Sequence, residues 1–98
     1  MTEKKIIRDV ADIFGITVKN ILSRRRIRRY VDARVVVSHL LCAYLGMSTT
    51  EAGKVINRNH SSIVYFNRKA EDWLRMPILN DRGYKAIREL LVRYGEDE

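Results

Sequence analysis

The chain has 98 residues, of which 46% are hydrophobic and 32% charged, with a net charge of +7. A chain this long makes one domain, residues 1–98, with one modest core; it is too apolar to be disordered, and no apolar run approaches the ~20 residues that span a bilayer. The charged start "MTEKKIIRDV" is no signal peptide, which predicts a cytoplasmic protein, and the single cysteine, Cys42 in "SHLLCAYL", excludes an intrachain disulfide and reads as a buried free thiol.

Apolar residues recur at helical spacing throughout, so the expected class is all-α, with about six helices. The first helix is predicted from Glu3 to Phe14, with Ile6, Ile7, Val10, Ala11, Ile13 and Phe14 inward and Gly15 at its end. Thr17 caps a short helix through Leu22, with Ile21 and Leu22 inward. The run "RRRIRR", Arg24 to Arg29, follows as an exposed loop. It concentrates the charge: residues 1–35 hold ten Lys/Arg against four Asp/Glu, and residues 36–98 hold nine against eight. Arginine makes planar, forked contacts to phosphates and base edges, so a polyanion is the natural partner.

Asp32 is the expected N-cap of a third, central helix, Ala33 to Leu45, ended by Gly46. His39 within it receives no function. Ser48 and Glu51 fit a capping box opening a short helix to about Ile56. Asn57 suits a tight turn with positive φ, and Asn59 caps a longer helix from His60 to about Arg75, with Ile63, Phe66, Ala70, Trp73 and Leu74 inward. Pro77 stops it. A last helix, Asp81 to Tyr94, turns Tyr84, Ile87, Leu90, Leu91 and Tyr94 inward before Gly95 and an acidic tail. A short capped helix, a tight turn and a longer helix make a helix-turn-helix candidate, with Gly53 where the two helices must approach and Ile63 facing the core.

Other chemistries fit less well. His60, Ser61 and Ser62 project about 100° apart on a helix and do not converge as nucleophile and base, so no catalytic residue is assigned. His39, Cys42 and His60 have no metal-ligand spacing, and no cofactor is implied. No aromatic interleaves the arginines as an RNA-binding surface would require, and the helix before them is too short for a membrane anchor.

The stretches "VADIFGITVKNIL", "LSRRRIR" (Leu22 to Arg28) and "NRNHSSI" (Asn57 to Ile63) resemble, in order and spacing, the C-terminal DNA-binding domain of the bacterial replication initiator DnaA. The family's basic loop commonly reads S-K-R-R-x-R and its recognition-helix motif G-R-D-H-T-T-V; the likeness covers about residues 6 to 74. The resemblance implies a TrpR-like fold and double-stranded DNA as partner, with the initiator or other replication proteins as further partners. It implies that Arg26 enters the minor groove and that Arg24, Arg25, Arg28 and Arg34 bind phosphates. Asn59, His60 and Ser61 would read bases, Ser62 and Lys69 would contact the backbone, and Arg58 is retained from the motif.

Three departures stand out. Asn57 replaces glycine, Asn59 replaces aspartate, and Ser61 and Ser62 replace threonines. Asparagine both donates and accepts, which suits an adenine edge and predicts an altered target site. The chain has no G-x-x-x-x-G-K-[ST] run and hence no P-loop. It is either a stand-alone domain, which Met1 and the acidic tail favour, or a fragment. The expected function is sequence-specific duplex binding in replication initiation or its regulation. The alternatives are a transcriptional regulator and a protein-binding adaptor whose arginine loop engages an acidic surface.

Overall fold

The computed structural model describes residues 1–96; Asp97 and Glu98 of the acidic tail lie outside the described residues. Among the described residues there are six α-helices and no strand.

Helix α1 is Glu3–Phe14. The Thr2 hydroxyl accepts from the Lys5 amide at 3.2 Å, and Gly15 ends the helix in the left-handed region at φ 66°. The helix buries Ile6, Ile7, Val10, Ala11 and Phe14, with Ile13 half-buried at the margin. Helix α2, Val18–Leu22, opens on a capping box in which Thr17 and Asn20 exchange two bonds of 3.0 Å.

Helix α3 corrects the sequence reading. It is Arg28–His39, starting more than a turn before the expected Ala33, and it runs on through a π-helical turn, Leu40–Tyr44. Asp32 is not its cap; it lies inside the helix and pairs one turn back with Arg28, whose Nε is 3.6 Å from Asp32 Oδ2. Arginine is a good helix former and needs no cap to enter one. The loop therefore shrinks to the residues between Leu22 and Arg28. Six consecutive residues, Ala33 to Ser38, are buried, so α3 is enclosed on every side as expected of a central helix. Cys42, on the π turn, is half-buried rather than buried.

Helix α4, Thr49–Ile56, opens on the Ser48–Glu51 capping box, with bonds of 3.1 and 2.9 Å. Asn57 takes the left-handed conformation (φ 60°, ψ 48°), and the Arg58 amide donates back to the Gly53 carbonyl at 2.8 Å. A Cβ on Gly53 would collide with the carbonyl oxygen of Arg58, so only glycine lets the chain fold back this tightly. Helix α5, His60–Arg75, follows, burying Ile63, Phe66, Ala70 and Trp73. Pro77 ends it in a 3₁₀ turn, Pro77–Leu79. Helix α6, Asp81–Glu96, passes through Gly95 rather than stopping at Tyr94.

The core forms around α3, which packs on α1, α2, α5 and α6. Two polar ties brace it. The buried Ser38 hydroxyl donates to Asn67 Oδ1 at 2.6 Å, fixing α5 on α3. The Tyr94 hydroxyl donates to Asp9 Oδ2 at 2.9 Å, fixing α6 on α1, and Lys5 Nζ meets the same oxygen at 3.0 Å. Among the described residues no helix is long and apolar enough to cross a membrane.

Candidate nucleic-acid interface

The arginine loop lies alongside the first half of α5. Arg24 and Arg26 share one cleft with Asn59, Ser61, Ser62 and Tyr65. Arg24 also shares an adjoining cleft with Lys54, Asn57, Arg58 and Asn59. Further along α5, Arg28 lines a third with Tyr65 and Lys69. The loop and the start of α3 thus run beside α5, from Arg24 at the tip of α5 to Arg28 near its middle. No carboxylate lines either of the first two clefts, so their charge is of one sign.

Asn59 caps α5: its Oδ1 accepts from the Ser62 amide at 3.0 Å. His60 is the exposed first residue of the helix and does not line the cleft shared with the loop. Ser61 is exposed and Ser62 half-exposed. Arg25 is exposed, and its amide donates to Ser23 Oγ at 3.4 Å. Lys69 is exposed, with Nζ 5.7 Å from the centre of the Tyr65 ring.

Arg34 bonds chiefly to the protein's own backbone. It is only 2% exposed. Its Nε donates to the Ile21 carbonyl at 2.7 Å, and its Nη2 donates to the carbonyls of Asn20 at 3.1 Å and Ser23 at 2.7 Å. It collects the orphan carbonyls at the end of α2, where a cation is favoured, and also lines the floor of the cleft that holds Arg24 and Arg26. Arg58 turns inward in a similar way. Its Nη1 donates to the Asn57 carbonyl at 2.9 Å, and its Nη2 to the Ser23 carbonyl at 2.5 Å. The Ser23 carbonyl therefore accepts from two guanidinium groups. That junction pins the base of the arginine loop to the turn between α4 and α5.

The crowding is visible in the acid–base behaviour. Burial, with help from the Arg58 cation, pulls the Arg34 pKa down to about 10. Burial lowers that of Arg58 too, followed by repulsion from Arg24 and Arg26. Both stay charged at neutral pH, and in each the neighbouring cations act in the same direction as burial but more weakly.

Three residues were not singled out from sequence. Tyr65, 53% exposed, stands four residues after Ser61 on the same helix face; an exposed aromatic at that spacing was the available signal. Lys54 lines the cleft from α4. Ser23 acts largely through its carbonyl oxygen, which no sequence pattern reports.

A short capped helix, a left-handed turn and a longer helix whose front is exposed beside a cationic loop define the helix-turn-helix class. Residues 4–70 match the family described as "Bacterial dnaA protein helix-turn-helix". The chain belongs to that family. It is 39% identical over 62 residues to the chromosomal replication initiator protein DnaA of Thermosipho africanus, covering 63% of this chain and 14% of that protein. It is 36% identical over 64 residues to DnaA 1 of Chlamydia pneumoniae, covering 65% and 14%. Against DnaA 1 of Chlamydia trachomatis serovar D it is 29% identical over 93 residues, covering 95% and 20%. The matched region thus amounts to a fifth or less of these relatives' own length.

Proposed function

We propose that this chain, as one domain, binds double-stranded DNA sequence-specifically in the cytoplasm, in replication initiation or its regulation. The front of α5 enters the major groove with Asn59, His60 and Ser61 at base edges. Arg26 reaches the adjoining minor groove from the loop. Arg24, Arg25, Arg28, Arg29 and Lys69 neutralise phosphates, and Ser62 contacts the backbone. Arg34 and Arg58 hold the two halves in register. The observation that carries this reading is that Arg24 and Arg26 share one cleft, free of carboxylates, with Asn59, Ser61 and Ser62. Family membership supports it, since the relatives named above are chromosomal replication initiators.

The sequence alone would count about six phosphate contacts and a slope of log K against log[salt] near −5. With Arg34 turned inward, about five contacts remain and the slope becomes about −4.5, at about −0.9 per phosphate. Fluorescence anisotropy of a labelled duplex over a salt series measures it. Lys69→Ala should flatten the slope by about 0.9. Arg26→Ala should cost about 1–3 kcal/mol on a selected site. Indifference to duplex in dilute buffer, or binding that heparin does not displace, would refute the reading and favour a protein partner for the loop.

A further inference from the structure

We infer that the duplex-binding surface continues past the arginine loop into a second cleft, where Arg82 of α6 joins Arg29 in holding the phosphates of the DNA beyond the minor groove. The inference rests on the duplex-binding reading above and adds a footprint that extends further on the loop side than the loop and α5 alone would reach.

The cleft lies where the end of α1, the first turn of α3 and the first turn of α6 meet, and Arg28, Arg29 and Arg82 line it with Asn20 and Ile27. It adjoins the interface already described. Arg28 also lines the cleft of Tyr65 and Lys69, and Ile27 is the residue through which the arginine loop enters α3. Its charge is of the same sign. Three arginines stand against one carboxylate, Asp32, and that carboxylate is already paired with Arg28 at 3.6 Å. Asp81, beside Arg82 in sequence, pairs with Lys85 at 3.0 Å instead. Arg29 and Arg82 are both exposed, and among the described residues neither has an ion-pair partner.

Arg82 is also held in place. Its guanidinium carbon stands 5.2 Å from the centre of the Phe14 ring. A guanidinium resting on an aromatic face is oriented by it, while its N–H edge stays free to donate. Its own helix gives the charge no support, since a cation in the first turn opposes the dipole. Neither an ion pair nor the helix therefore accounts for a positive charge at this point, whereas a phosphate, which arginine meets with its planar fork, does. Phosphate contacts fix position without reading sequence, so the cleft adds affinity and register and no base choice.

The test takes a duplex selected by the wild-type chain from a random pool and trims it from either end in turn, with binding followed over a salt series. Arg82 adds a sixth phosphate, so the slope on the long duplex becomes about −5.4 rather than −4.5. Trimming one end only, the one beside the minor-groove contact, should flatten the wild-type slope by about 1.8, two phosphates at about 0.9 each. Arg82→Gln, which keeps a stem over Phe14 and loses the charge, should bind the long duplex on the order of fivefold more weakly with a slope flatter by about 0.9, and bind the trimmed one as the wild type does. Arg82→Lys should restore most of the loss. If Arg82→Gln melts lower than the wild type, Arg82→Met, which covers Phe14 with an apolar stem, carries the same comparison. Equal losses on long and trimmed duplexes, or no loss on the long one, overturn the inference while leaving duplex binding intact. No enriched duplex for the wild type overturns both.

Discussion

Arg34 braces the base of the arginine loop from within the protein. Its donors take up carbonyls at the end of α2, and one of those carbonyls, on Ser23, is shared with Arg58 from the α4–α5 turn. Hydrogen bonds from a charged group are worth about 1.5–3 kcal/mol each, and stranding buried acceptors is costly. Lysine keeps the charge but lacks the fork. Arg34→Lys should therefore lose about 2–4 kcal/mol in urea unfolding, while the salt slope of duplex binding stays at the wild-type value. If Arg34 were a phosphate ligand, the same substitution would leave stability nearly untouched. Nothing in the sequence reported this role, because the acceptors are main-chain oxygens brought together by folding. The exposed residues Asn59, His60 and Ser61, by contrast, were legible at once as the front of a helix, since their order follows from a local cap.

At the scale of elements, the same distinction separates what was legible from what was not. Helices opened by a side-chain oxygen were located correctly: α2 behind Thr17, α4 behind Ser48 and α5 behind Asn59. Helix α3 has no side-chain cap on Ile27, and the one residue nearby whose type suits a cap, Asp32, lies already inside it. The α4–α5 turn was read from two residues with opposite demands. Gly53 must lack a Cβ, whereas Asn57 merely tolerates a positive φ. Gly53→Ala should cost about 1–3 kcal/mol, because the obstruction is backbone. Asn57→Gly should be neutral or stabilising by about 0.5 kcal/mol, and Asn57→Ala should cost about 1 kcal/mol. Chemical denaturation of the three variants checks the order.

At the scale of the whole molecule, an enclosed α3 with α1 and α6 tied by Tyr94 and Asp9 gives a frame whose stability responds to acid through His39. Burial lowers the His39 pKa below 6.5, with Glu71 opposing more weakly. The unfolded chain then takes up a proton that the folded one resists. This contribution is intact above about pH 6.5 and is lost as pH falls below it. His39→Gln should show a smaller fall in Tm between pH 7.5 and 5.5 than the wild type. Glu51, whose pKa is lowered chiefly by its bond to the Ser48 amide, adds a second loss only at lower pH. The start of α3 carries one more consequence. Its first two peptide N–H groups have no partner along the helix, Ile27 supplies no side-chain acceptor, and the two residues bearing them are arginines, whose charge opposes the helix dipole. The first turn is therefore held by the Ile27 carbonyl, which accepts from Tyr30 and Val31, and by packing further along the helix rather than by a cap.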